Sequence, residues 1–345
     1  MKKRLLAALV SALAAFVPLN AWSAPIKCLA VQVNEGDAPP SVPVLRTLLP
    51  NGGCVRDMLG WHQVEKVAGQ YTMPDRQWQS YGNVASASAF NLITLGFGNK
   101  LYGSNGYQPK LNNFGLPVTP AQIQAFTKYA VWAVRKDGTG RPNATAANIP
   151  NLYAVSIWNE LNGAWDGGID DIHTRIAAYA ALVNAVGPAI RQANPKVKII
   201  IGATVGSNID GWYQRLLVDG TWGRNDPNVY LDVHPYIGRA LSPTNQYVPQ
   251  LDTWNRSMLH IRKAGIKNAL FATEWGGPLA KFVEGNNPGL NYIDWSQKNI
   301  FATEAFAGAA WFALTSFGDS KESNLIAAST PSLQVTKLGS EFVNW

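Results

Sequence analysis

The sequence predicts a single closed (β/α)8 barrel (a TIM barrel). Three observations predict it: eight short apolar runs recur along the chain, helix-like segments separate them, and polar loop-like segments follow several of the runs. The strand candidates are residues 26–33, 53–58, 91–96, 152–158, 197–202, 229–234, 269–274 and 308–313. Several read as nearly continuous apolar stretches, as in Ile199-Ile200-Ile201, which suits strands covered on both faces. Between them, residues 171–193 place Ile172, Ile176, Tyr179, Leu182, Val183, Val186 and Ile190 at helical spacing. Asp170 or Asp171 can cap that helix, and Asn194-Pro195 stops it. Thr119-Pro120 opens a second helix over 120–136. The competing architecture, an open doubly wound sheet, lacks a glycine-rich phosphate turn after the first strand. Segments 97–119, 235–250 and 275–293 are rich in Gly, Asn, Pro and Tyr. They follow the third, sixth and seventh strands, at the end where barrel enzymes build their clefts. No internal repeat, low-complexity tract or linker interrupts the pattern, so residues 25–345 read as one catalytic domain.

Residues 1–24 are read apart from the fold. Lys2, Lys3 and Arg4 form a basic start, Leu5 to Val17 an apolar stretch, and Ala21-Trp22-Ser23 a small-residue cleavage pattern. That order is a signal peptide, cut after Ser23 or Ala24, and it predicts a periplasmic or secreted protein without stable membrane association. The apolar run is short for a membrane span. The formal net charge is +7; three of those cations lie in residues 1–24, which contain no acid, leaving +4. So mild a bias gives no nucleic-acid signature and is compatible with an anionic polysaccharide without requiring one. The two cysteines, Cys28 and Cys54, read as one disulfide in an exported chain, tying the first two strands at their starts. The expected state is a monomer.

The chemistry is concentrated at two strand ends. Glu160 closes the run Leu152 to Asn159, and Glu274 closes the run Ala269 to Thr273. A carboxylate ending a buried strand is poorly placed for stability but well placed at the catalytic face of a barrel. Two such groups on one pocket supply the acid and the nucleophile or base of glycoside hydrolysis. The four histidines have no metal-ligand spacing, and the chain contains no serine-hydrolase elbow, Walker loop or dinucleotide fingerprint. No metal and no cofactor is therefore expected. Asn99, after the third strand, is a candidate sugar contact, and among the tryptophans Trp275 and Trp311 are the favoured cleft residues.

Trp158-Asn159-Glu160 ending the fourth strand, with Thr273-Glu274-Trp275-Gly276 ending the seventh, resembles the signature of the clan A retaining glycoside hydrolases. The resemblance implies that Glu160 is the general acid/base, starting protonated in a pocket that raises its pKa, and that Glu274 is the ionised nucleophile. It implies further that Arg56, His234 and Tyr236 lie beside the nucleophile, that Asn159 contacts the sugar 2-hydroxyl, and that Trp311 floors the sugar subsite. Trp61, in the stretch Trp61 to Tyr71, is similar to the segment after strand two in family 39, which makes it a substrate-binding candidate. Within the clan, the single barrel and export signal resemble bacterial exopolysaccharide endoglycosidases. The implied substrate is a polysaccharide or oligosaccharide. The alternatives are a non-catalytic glycan-binding barrel in polysaccharide export and a transglycosylase using the same residues.

Overall fold

The computed structural model describes residues 25–103, 115–163, 168–236, 247–276, 292–312, 314, 325 and 337–345. The signal-peptide expectation for residues 1–24 falls outside them.

Eight parallel strands close in sequence order into one barrel. They are β1 (Ile26–Ala30), β2 (Cys54–Gly60), β3 (Phe90–Gly96), β4 (Leu152–Ile157), β5 (Lys198–Val205), β6 (Val229–His234), β7 (Leu270–Trp275) and β8 (Phe306–Trp311). Every expected strand is present, and β8 pairs with β1 to close the ring. The boundaries differ in ways that matter for the site. β1 stops at Ala30, and the chain turns through a short 3-10 helix at Val33–Glu35 instead of remaining strand to residue 33. β2 runs on to Gly60, so Arg56 lies within the strand rather than at its end.

Among the described residues the helices are α1 (Val42–Leu48), α2 (Trp61–Val64), α3 (Asp75–Ser86), α4 (Pro120–Val134), α5 (Ile172–Ala193), α6 (Asp210–Leu216), α7 (Tyr247–Lys263), α8 (Tyr292–Ser296) and α9 (Lys337–Asn344). The two helices predicted in detail begin where their caps dictate. Thr119 and Gln122 form a reciprocal capping box at the start of α4, with Pro120 in its first turn. Asp171 caps α5 by accepting from the Thr174 backbone N–H at 2.7 Å.

The strands alternate between two buried layers. The inner layer includes Cys28, Ala30, Cys54, Leu92, Ala154, Ile200, Phe271 and Ala310. The outer layer, between strands and helices, holds the larger core. Phe271 fills the barrel so fully that a Cβ on Gly308 would lie 2.4 Å from its ring, so only glycine fits there. Cys28, midway along β1, and Cys54, at the start of β2, are register partners and form a disulfide with Cα atoms 4.3 Å apart. Both cysteines are fully buried in the inner layer.

Replacing both cysteines by alanine is expected to lower the unfolding free energy by about 3 kcal/mol, the usual value for a loop of this size. Denaturant titration of the variant measures it. An unchanged midpoint, together with two alkylatable thiols in the unreduced parent protein, would show that the bridge is not formed.

Candidate active site

Glu160 follows β4, and the backbone before it is unusual. Trp158 and Glu160 both adopt positive φ, 72° and 46°. Non-glycine residues rarely take this conformation, and here it turns the end of the strand so that Asn159 and Glu160 face the barrel mouth. Glu274 arrives by another irregularity. The β7–β8 register shifts between Ala272 and Trp275, a bulge that aims Thr273 and Glu274 into the barrel in succession.

Glu274 is held from two sides. Arg56 Nη1 lies 2.8 Å from its Oε1, and the Tyr236 hydroxyl donates to Oε2 at 2.8 Å. Arg56 also donates from Nη2 to Asn159 Oδ1 at 2.8 Å and from Nε to Thr94 Oγ1 at 3.0 Å. One guanidinium fork therefore fixes the nucleophile candidate and the neighbour of the acid candidate together. With its oxygen committed to Arg56, Asn159 keeps its amide N–H groups for the pocket.

Glu160 is held by His234, whose Nδ1 lies 2.7 Å from Glu160 Oε1. His234 is fully buried, and its Nδ1 is also 3.6 Å from Glu274 Oε2. Burial alone would lower its pKa, but the surrounding Glu274, Glu160 and Asp232 carboxylates reverse this and raise it to about 9. One oxygen from each glutamate and a ring nitrogen of His234 lie within 4.8 Å of one another. By spacing alone they could surround a cation, but Arg56 and His234 already bring two positive charges to these carboxylates.

A pocket of about 180 Å³ opens over this arrangement, lined by Arg56, Asn159, Glu160, Tyr236 and Glu274. It thus gathers five of the ten candidate residues, with His234 directly behind them. The other four lie elsewhere. Trp61 has no exposed surface; it stacks on Tyr102 at 5.0 Å and donates from its indole to buried Glu65. Asn99 donates to the Glu65 carbonyl at 2.8 Å and caps the turn Lys100–Tyr102. Both residues are recruited by Glu65 to brace the loops after β2 and β3, so neither lines the pocket. Trp275 follows an inward residue and points outward, making edge contacts with Trp311 at 4.6 Å and Phe301 at 4.9 Å. Trp311 shares that outer layer, and Phe312 lines the pocket in its place.

Three polar lining residues were not anticipated: Gln32, Asn34 and Glu35, in the turn after β1. Extending the first strand to residue 33 hid them, although a polar stretch directly after an apolar run at the catalytic face was a usable signal. Asp57 lies on the opposite face of β2, near Tyr81 of α3, and is outside the pocket.

Sequence alone connects the chain to little: no family model matches it, and no curated protein does. Solved structures do match. A family 39 glycoside hydrolase from Bacteroides cellulosilyticus WH2 superposes with a TM-score of 0.58 and 18% identity, over 88% of this chain and 60% of that one. The chain shares the fold of a glycoside hydrolase. Endo-glycoceramidase II from Rhodococcus sp. (TM-score 0.57, 15% identity, 94% of this chain and 79% of that one) is a further match. So is an endo-β-1,4-mannanase from Thermotoga petrophila (0.59, 13%, 94% and 77%). At these identities the likeness is one of fold.

Burial raises the Asp57 pKa to about 7, against the opposing Met58 N–H and Arg56. Folding therefore binds a proton at this carboxyl. Its stabilising contribution is complete below about pH 4, the unfolded value, and is lost as pH rises through 7. Asp57→Asn should gain stability relative to the parent between pH 4 and pH 8. Urea unfolding of both proteins across that range measures it, and a pH-independent difference would show that Asp57 titrates normally.

Proposed function

We propose that this protein is a retaining glycoside hydrolase, with Glu274 as nucleophile and Glu160 as general acid/base. The observation that carries the reading is the close pairing of the two glutamates across one pocket, each on its own cation. An oxygen of each lies within 4.8 Å of the other, close enough for paired carboxyls such as those of double displacement, which stand roughly 5–5.5 Å apart.

In this reading Arg56 and Tyr236 keep Glu274 ionised and aimed at the anomeric carbon. Glu160 gives its proton to the leaving oxygen as the C–O bond breaks and the Glu274 ester forms. It then takes a proton from the water that cleaves the ester. Asn159 meets the sugar 2-hydroxyl, a contact that strengthens in the transition state. Trp61, Asn99, Trp275 and Trp311 act behind the pocket wall rather than on the sugar. A non-catalytic glycan-binding barrel would have no use for two buried cations trained on a carboxylate pair. A transglycosylase would use the same residues with a sugar hydroxyl in place of water.

Endo-action on a polysaccharide is supported by a second groove of about 590 Å³. It shares Asn34 and Glu35 with the pocket and continues past His62, Gln63, Lys66 and Arg76. A chain of sugars can leave the pocket along it. Export fits the disulfide. Among the described residues no helix is long and apolar enough to cross a membrane.

The test uses dinitrophenyl glycosides of several sugars with azide. Glu160→Ala should lose about 10²–10⁴-fold on unactivated substrates. It should recover turnover of the activated ones with azide and give a glycosyl azide of retained configuration. Glu274→Ala should be inactive without azide and give the inverted azide with it. The opposite assignment of products, read by NMR, would mean the roles are reversed. Full activity in both variants would place the catalytic site elsewhere.

A further inference from the structure

Behind the two glutamates lies a carboxylate that this chemistry does not use. Asp232, on β6, is completely buried. The Ser156 hydroxyl donates to its Oδ2 at 2.6 Å and the Thr273 hydroxyl to its Oδ1 at 2.6 Å. His234 Nε2 is 3.7 Å from the same Oδ1. A buried carboxylate is costly unless hydrogen-bonded and paired with positive charge. Burial raises the Asp232 pKa, while His234, the two hydroxyls and Arg56 oppose that rise.

Three contacts bear on the state of the ring. Thr273 has a single hydroxyl proton, and Asp232, ionised among its two hydroxyl donors and the nearby cations, can only accept it. The 2.8 Å contact of the Thr273 hydroxyl with His234 Nε2 therefore requires a proton on that nitrogen. The other ring proton belongs on Nδ1, where Glu160 Oε1 at 2.7 Å accepts it both as part of the carboxylate and as the carbonyl oxygen of the acid form. We propose that Asp232 and Thr273 are positioning residues that hold the His234 ring on Glu160 with protons on both of its nitrogens, a proposal that rests on Glu160 being the acid/base.

The groups facing the ring come from several strands. Asp232 and Tyr236 flank it in sequence, Glu160 faces it from the end of β4, and Glu274 and Thr273 face it from β7. Arg56, from β2, acts on it through Glu274 and Asp232. Thr204 of β5 and Tyr213 of α6 donate to the Asp232 carbonyl and hold that part of β6 in place. The ring proton on Nδ1 does not leave in the cycle. Glu160 passes one proton to the leaving oxygen and regains one from water, and the imidazolium stabilises the carboxylate present between those steps.

The test compares Asp232→Asn, Thr273→Val and Thr273→Ser by ¹⁵N-edited NMR of the imidazoles, with His234→Asn assigning the signal. The parent ring should be doubly protonated at pH 7 and titrate near pH 9. Asp232→Asn and Thr273→Val should lower that midpoint by about one unit or more, a tenfold or greater change in proton affinity, and Thr273→Ser should restore it. In parallel, the basic limb of kcat/KM should move to lower pH in the first two variants and return in the third. A neutral His234 at pH 7 in the parent, or an unchanged midpoint in Asp232→Asn, would overturn the proposal. So would reduced kcat with an unmoved basic limb, which marks Asp232 as merely structural. If the parent cleaves no glycoside, the functional reading fails, while the NMR measurement still decides this proposal.

Discussion

The arrangement of the site depends on Arg56. Its guanidinium is almost wholly buried in the barrel mouth, and its hydrogen bonds reach three strands: Thr94 on β3, Asn159 beyond β4 and Glu274 on β7. A buried cation of this kind needs its partners, because removing one leaves an uncompensated charge in a low-dielectric interior, typically a loss of about 3–5 kcal/mol. The partners need the cation in return. Glu274 and Glu160 sit too close together for both to be ionised comfortably without positive charge beside them. Arg56 supplies that charge on one side and His234 on the other. The bulge in β7 and the positive φ values after β4 are the backbone distortions that bring the acids to these cations.

The barrel was legible because its signals were redundant. Eight apolar runs with helices between them leave few topologies open, and cap residues marked the helix starts, Thr119 outright and Asp171 as one of two adjacent candidates. The two pocket glutamates were legible for a related reason, since a glutamate ending an apolar strand has no structural motive. Arg56, Asn159, His234 and Tyr236 followed from the motifs around them.

The tryptophans were misread because composition does not reveal direction. Alternation along a strand puts neighbours on opposite faces, so an inward Glu274 sends Trp275 outward, and Phe312 takes the inward place expected of Trp311. Trp61 and Asn99 serve buried Glu65, a carboxylate whose burial no local pattern announces. Glu35 and its neighbours were hidden by an error of three residues in one strand end. The alternation also explains how Asp57 and Arg56, adjacent in sequence, come to have different surroundings, one facing the helices and the other the pocket.

The central claim is that Glu274, held by Arg56 and Tyr236, forms a covalent bond to the sugar. Its most direct test is to incubate the protein with a panel of 2-deoxy-2-fluoro glycosides bearing good leaving groups, then measure the intact mass and map the labelled peptide. One added glycosyl group is expected, located on Glu274. A label on Glu160, or turnover of the panel with inverted products and no label, would contradict it.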